Sequence, residues 1–145
     1  MIDINNHIKE AMLAKDAVRL ASLRAIKTAF MMAETEKGAG ELNEAAQLKI
    51  IQKQVKQRKD AATIYQEQGR EDLAADELAQ IAVLEAFLPE PMSEADLEKA
   101  IAEIITQVGA TSMADMGKVM GKASAQLSGQ ADGKLIAAKV RQLLA

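Results

Sequence analysis

The single histidine of the chain lies in a spacing that could place metal ligands on one helical face. Asp3, His7 and Glu10 follow an i, i+4, i+7 pattern, so a helix would present two carboxylates and an imidazole on the same side. The pattern lies close to a chain terminus, and no second cluster of ligands completes a coordination shell. The alternative is a solvated face beside Ile4 and Ile8. We adopt that interpretation and predict no metal site.

The serines form no nucleophilic arrangement with this histidine. Ser93 and Ser112 precede apolar periodic segments, as helix N-caps do, and His7 belongs to a different segment. The chain contains no cysteine, which excludes a thiolate nucleophile and a thiolate metal site. It also has no G-x-x-x-x-G-K-[ST] phosphate loop and no strand pattern that could position one. We therefore predict no catalytic residue and no cofactor, and we do not expect the isolated chain to be an enzyme.

The last third of the chain holds its most informative pattern. Residues 112–145 carry five lysines or arginines against two aspartates, whereas the whole chain has a net charge of −3. Within this stretch Gly117 and Gly121 form a G-x-x-x-G pair in a predicted helix, beside Lys118 and Lys122. Each glycine costs a helix about 1 kcal/mol relative to alanine, so the pair indicates a close approach. Either an RNA backbone approaches, with the lysines on its phosphates, or a neighbouring helix packs there and the lysines are solvated.

A second basic segment lies near the middle of the chain. Lys49, Lys53 and Lys56 follow i, i+4, i+7 spacing on a predicted long helix, and charge runs of this kind are usually solvated faces. Arg58 falls on the apolar stripe of the same helix. We expect it to pair with a carboxylate of the next helix, for which the candidates are Asp72, Asp76 and Glu77.

The elements that must position these residues are helices, and we predict an all-α fold. Apolar residues recur at three- and four-residue intervals, and alanine and leucine are frequent. Helices are expected over about residues 2–15, 16–36, 43–68 and 71–87, followed by three shorter helices that begin at Ser93, Ser112 and Asp132. The apolar stripe expected for the fourth helix consists of Leu73, Leu78, Ile81, Leu84 and Leu88.

Two prolines mark the domain boundary. Pro89 and Pro91 cannot continue a helix, and no other segment interrupts the helical pattern as sharply. The chain thus divides into an N-terminal long-helix domain, residues 1–90, and a small C-terminal three-helix bundle, residues 91–145. A bundle of that size buries little surface and is marginally stable alone.

Three features bear on the compartment and on the partner. The chain has no apolar run of about 20 residues, as a membrane span requires, and its first residues lack the layout of a signal peptide. Together with the absence of cysteine, this predicts a cytoplasmic protein without a membrane partner. Residues 93–145 contain no Phe, Tyr or Trp, so this part could bind RNA only through phosphate, 2′-hydroxyl and shape contacts, not by base stacking.

Several successive segments resemble the YqeY-like family. They are RLASLRAIKTAF, IIQKQVKQRKDAATIYQEQGREDLAADELAQIAVLEAFLPEPMSEADL and ADMGKVMGKASAQLSGQADGKLIAAKVRQLL. The sequence departs from the family pattern at Phe87, where Tyr is frequent, at Pro91, and in lacking a proline within 123–127. The C-terminal part resembles the tail domain of the GatB subunit of the glutamine-dependent Asp/Glu-tRNA amidotransferase. That resemblance implies a helical tail that contacts tRNA and carries no catalytic residue.

The resemblance implies tRNA affinity at a set of lysines, with glycines that set the backbone: Lys118, Lys122, Lys134, Lys139, Gly117, Gly121 and Gly133. The expected function is that of a non-catalytic accessory protein that binds tRNA through its C-terminal bundle. Two alternatives stay open. The chain could be a subunit or partner in glutamine-dependent carbon–nitrogen ligation, the amidation of mischarged aminoacyl-tRNA that the family association suggests, or it could be a protein–protein interaction module. Expected partners are tRNA, the amidotransferase or other translation proteins, but not DNA.

Overall fold

The computed structural model describes residues 1–36, 38, 40–127 and 129–145, and within these ranges the chain is all-α. It contains seven α-helices and one turn of 3-10 helix, and the described residues include no strand. The all-α prediction is therefore confirmed. The helices are α1 Ile4–Leu13, α2 Ala17–Thr35, α3 Glu44–Glu67, α4 Glu71–Glu85, α5 Glu94–Val108, α6 Met116–Gln126 and α7 Gly133–Leu144, with the 3-10 turn over Met113–Asp115 directly before α6.

Side-chain caps fix where four of these helices begin. The side-chain oxygens of Asp16, Asn43, Ser93 and Asp132 accept hydrogen bonds from backbone amides of the first helical turn, at 3.0, 2.8, 3.1 and 3.1 Å respectively. Each bond satisfies an amide that has no partner within the helix, which is why Asp, Asn and Ser are preferred at this position. The predicted starts of α2, α3, α5 and α7 are thus confirmed to within a residue.

Helices α1–α4 form one compact unit, Met1–Leu88. Helices α3 and α4 pack along each other, and the short link between them turns at Gly69, whose φ of +72° is the left-handed conformation that glycine adopts most readily. Helix α2 packs against α1, α3 and α4. The core of this unit consists of Ile4, Ala11, Leu23, Ile26, Phe30, Leu42, Ile51, Val55, Ile81 and Leu84.

The contact between α3 and α4 contains the predicted ion pair. Arg58 Nη1 lies 3.4 Å from Glu77 Oε2, and the two side chains are only 17% and 19% exposed. The expectation for α4 was wrong at Leu78, which is 49% exposed, while Ala74 is buried at 1%. The small side chain at Ala74 allows α3 to approach closely, and this shifts the buried face of α4 away from Leu78.

Helices α5–α7 form a second compact unit, Pro89–Ala145, in which each helix packs against the other two. The division falls between Leu88 and Pro89, two residues before the position inferred from the prolines. Helix α5 ends at Gly109, which has a φ of +69°. The core of the bundle consists of Leu97, Ile101, Ile104, Val119, Ala123, Leu127, Ile136, Val140 and Leu144.

No helix in the described ranges is both long enough and apolar enough to cross a lipid bilayer. Every buried apolar cluster of these ranges belongs to one of the two helical units.

Candidate nucleic-acid interface

Helix α6 separates a buried face from an exposed one. Val119 and Ala123 are fully buried in the bundle core. Gly117, Gly121 and Lys118 are exposed. At 3.6 residues per turn, these three positions lie on the side of the helix away from the core. The glycines and lysines singled out in the sequence therefore share one surface of α6.

Open space surrounds both glycines of the G-x-x-x-G pair. A Cβ atom built on Gly117 or Gly121 would have no heavy atom of the described chain within 4 Å, apart from the glycine's own surroundings in the helix. Packing of a neighbouring helix against these glycines, which was the alternative explanation for the pair, is thus not found in the described parts of this chain. The helix backbone is accessible here to a molecule outside the chain.

Two lysines flank this accessible backbone. Lys118 is exposed and Lys122 is partly exposed, and neither forms an ion pair with any carboxylate that the structure describes. Their spacing of i, i+4 places both ammonium groups on the same side of α6. We name the surface formed by Gly117, Lys118, Gly121 and Lys122 the α6 lysine face.

Asp115 lies at the start of α6 and partly offsets the charge of this face. The Thr111 backbone N–H donates to its carboxylate at 3.0 Å. This hydrogen bond lowers the pKa of Asp115 below its ordinary value, with smaller contributions from the Ser112 backbone and from the charge of Lys118. Asp115 is therefore ionised at neutral pH. It anchors the loop that leads into α6 and leaves Lys122 as the lysine farther from a negative charge.

The first turn of α7 presents the next two candidates. Gly133 and Lys134 are both exposed, and a Cβ on Gly133 would likewise meet no atom within 4 Å. The Lys134 backbone amide donates to Asp132, which caps the helix, so the Lys134 side chain is placed by the helix start. Helices α6 and α7 pack directly against each other.

Lys139 lies in a different environment from the other lysines. Its side chain is only 7% exposed, and its Nζ lies 3.3 Å from Glu94 Oε1 and 3.9 Å from Glu98 Oε2. The same Nζ donates to Gln142 Oε1 at 3.1 Å. Lys139 thus joins α7 to the start of α5 and has no free surface for a phosphate. The resemblance assigned it to tRNA contact; its burial removes it from the candidate interface, which retains Lys118, Lys122 and Lys134.

The N-terminal carboxylates and imidazole serve separate structural contacts. His7 Nδ1 lies 3.2 Å from Arg19 Nη2, and the imidazole ring meets Phe87 edge-on with a centroid distance of 4.9 Å. Asp3 caps α1 by accepting from the Asn6 amide. Among the described residues no group of three His, Cys, Asp or Glu side chains is arranged to hold a metal ion. His7 contributes to packing at the end of α4.

Comparison with known proteins places this chain among relatives of known name. The family model of YqeY-like proteins matches residues 2–144. The chain is 26% identical over 108 residues to altered inheritance of mitochondria protein 41, mitochondrial, of Lachancea thermotolerans, and 28% identical over 108 residues to the protein of the same name from Kluyveromyces lactis. These alignments cover 73% and 72% of this chain but only 58% of each relative, so the chain spans little more than half of their length.

A further match concerns an enzyme named for a tRNA. The chain is 42% identical over 55 residues to one of the subunits of the glutamyl-tRNA(Gln) amidotransferase of Thermococcus gammatolerans. This alignment covers 35% of the chain and 9% of that protein. The resemblance to the YqeY-like family and its link to a tRNA amidotransferase are both confirmed.

Proposed function

The chain belongs to the YqeY-like protein family, and we propose that it is a non-catalytic accessory protein that binds tRNA through its C-terminal helical bundle. One observation carries the proposal. The chain shares a segment of 55 residues with a protein named for glutamyl-tRNA(Gln), and its bundle presents exposed lysines beside accessible glycine backbone. Family relationship and surface chemistry thus indicate the same class of partner.

The α6 lysine face suits an RNA backbone. Gly117 and Gly121 have no side chain to hold the strand away, so phosphates can approach the helix backbone closely. Lys118 and Lys122 then supply ammonium groups on one side, and Lys134 supplies a third from the start of α7. Because the bundle has no aromatic residue, its contacts fall on phosphate and 2′-hydroxyl groups rather than on stacked bases. Binding of this kind recognises shape and is weakly selective among tRNAs.

No catalytic role is assigned to any residue. His7, the one histidine, lies in the N-terminal unit against Arg19 and Phe87. Ser93 and Ser112 hold backbone amides at helix starts. We therefore attribute to this chain a binding function, with any associated chemistry performed by another protein. The cytoplasmic location inferred from the sequence remains a prediction, since two relatives carry the word mitochondrial in their names.

The proposal is tested by measuring the affinity for tRNA as a function of salt. Fluorescence anisotropy with labelled unfractionated tRNA is compared for the natural chain and for K118Q/K122Q. Each phosphate contact contributes about 0.7–0.9 to the slope of log K against log salt concentration, so the double variant should bind more weakly with a slope reduced by about that amount per lysine. Its order of preference among individual tRNAs should stay the same.

A matched control is K9Q/R24Q, which removes two exposed cations of the N-terminal unit and changes the net charge equally. The control should bind tRNA as the natural chain does. If the natural chain shows no tRNA binding at low salt, or if K118Q/K122Q binds unchanged, the proposed function is wrong.

A second function is favoured by the match to an amidotransferase: the chain assists, as a partner, the glutamine-dependent amidation of mischarged aminoacyl-tRNA. In that case an amidotransferase should convert its aminoacyl-tRNA faster when the chain is added. The isolated chain should remain inactive with glutamine and ATP, and turnover by it alone would contradict both functions.

A further inference from the structure

Helix α3 divides its basic residues between two environments. Arg58 and Lys59 face α4, where Glu77 and Glu85 neutralise them at 3.4 and 3.2 Å. The other three cations of the helix are all exposed, and none forms an ion pair within the described ranges: Lys49, Lys53 and Lys56. No acidic residue occurs between Glu44 and Asp60 to balance them. The unpaired charge is therefore concentrated on one part of the helix.

The three unpaired lysines form a narrow ridge. At 3.6 residues per turn they fall within an arc of about 60°, opposite the side on which Ile51 and Val55 are buried. They extend over about 10 Å of the helix axis at 1.5 Å per residue. We name this surface, Lys49, Lys53 and Lys56, the α3 ridge.

A merely solvated helix face does not account for the α3 ridge. Like charges at i, i+4 and i, i+3 destabilise a helix, and a face built for solubility mixes both signs. The chain as a whole carries a net charge of −3, so the α3 ridge is a local positive field on an acidic protein. The repulsion among Lys49, Lys53 and Lys56 is relieved when an anionic partner lies along the helix.

The chemistry of the α3 ridge favours a phosphate backbone over a protein or a membrane as this partner. Lysine is depleted in protein interfaces, which are built around aromatic and apolar residues. The exposed large apolar residue of α3 is Ile64, two turns beyond Lys56, and the apolar stripe needed for insertion into a membrane surface is buried in the core. One strand of a B-form duplex places a phosphate about every 3.4 Å of axis, so a ridge of about 10 Å faces about three phosphates.

We propose that the α3 ridge is a second RNA-contacting surface, which binds the phosphate backbone of structured RNA separately from the C-terminal bundle. It shares its class of partner with the proposed function, on which it rests, but uses a different unit of the chain. Two linked surfaces on one RNA raise the apparent affinity above that of either surface, because the second contact becomes intramolecular. The α3 ridge thus makes the chain a bivalent binder.

The test uses the full chain and labelled unfractionated tRNA in three variants. K49Q/K53Q/K56Q removes the α3 ridge, K118Q/K122Q removes the lysines of the α6 lysine face, and K9Q/R24Q/K99Q is the control with three exposed cations removed elsewhere. Glutamine keeps the helix propensity of lysine, and far-UV circular dichroism verifies that each variant is folded. We expect the α3 ridge variant to bind at least about tenfold more weakly at low salt, with its salt slope reduced by about 2.

The outcomes separate this inference from the proposed function. Weaker binding by the α3 ridge variant with unchanged binding by K118Q/K122Q supports the α3 ridge and refutes the bundle as the RNA surface. The reverse result refutes the α3 ridge alone. An equal loss in the control variant would show that only net charge matters and would overturn the inference, as would a natural chain that binds no tRNA.

Discussion

The role of Lys139 leads to a prediction about stability in which the two sides of one ion pair behave differently. The ammonium group is nearly buried, with its side chain 7% exposed, whereas Glu94 and Glu98 are 85% and 52% exposed. Removal of the lysine leaves carboxylates that water can solvate. Removal of both carboxylates leaves an ammonium group in the bundle with Gln142 as its remaining described partner.

The two perturbations should therefore differ in magnitude. K139M places an unbranched apolar side chain in an apolar setting, and we expect it to change the free energy of unfolding of the bundle by less than about 1 kcal/mol. A hydrogen bond to a charged group contributes about 1.5–3 kcal/mol, and the exposure of both glutamates reduces this value. For E94Q/E98Q we expect a loss of about 1–2 kcal/mol, a factor of about 5–30 in the opening equilibrium.

Hydrogen exchange measured by mass spectrometry provides the assay, because it reports on α5 and α7 separately from the N-terminal unit. Peptides from residues 94–108 and 133–144 should exchange faster in E94Q/E98Q than in K139M. E90Q/E103Q, which removes two exposed acids of the same unit that form no ion pair with a described residue, is the control and should match the natural chain. If K139M opens the bundle more than E94Q/E98Q does, the assignment of Lys139 to a structural contact across the bundle is refuted.

Three further predictions concern the α6 lysine face and the N-terminal core. G117A/G121A should raise the thermal stability of the chain, by about 1 kcal/mol per site, because both positions are helical and open, yet it should weaken tRNA binding in the anisotropy assay. The lowered pKa of Asp115 means that its ionised form stabilises the fold above pH 3.8 and that this contribution is lost as the pH falls through the lower folded value. D115N should thus melt at a lower temperature than the natural chain at pH 7 and at an equal temperature near pH 2. E77Q should destabilise the N-terminal unit by about 1–3 kcal/mol in urea titration, since it leaves Arg58, 17% exposed, without its carboxylate.

Features that depend on neighbouring residues in the sequence could be predicted. The caps at Asp16, Asn43, Ser93 and Asp132 act on amides two or three residues away, so their positions define the helix starts directly. The prolines at 89 and 91 interrupt the helix by local sterics. For the same reason the all-α class and the seven helices of the described residues followed from residue spacing.

Features that depend on contacts between helices could not be predicted in the same way. Lys139 is next to Val140 on the inner side of α7, but its burial depends on Glu94 and Glu98 of α5, more than 40 residues earlier. The buried side of α4 shifted because α3 packs closely at Ala74. The open surroundings of the glycines in α6 likewise became visible only when the positions of α5 and α7 were known.

The central claim, that tRNA approaches the bundle at its exposed glycines, is tested most directly by glycine-selective NMR. The chain contains eight glycines, so ¹⁵N-glycine labelling gives few signals to follow during a titration with tRNA. We predict that the amide signals of Gly117, Gly121 and Gly133 shift or lose intensity first. Gly69 of the N-terminal unit and Gly109 at the end of α5 serve as internal references and should change least. Unchanged signals for the first three glycines, or an equal change across all eight, would contradict the account.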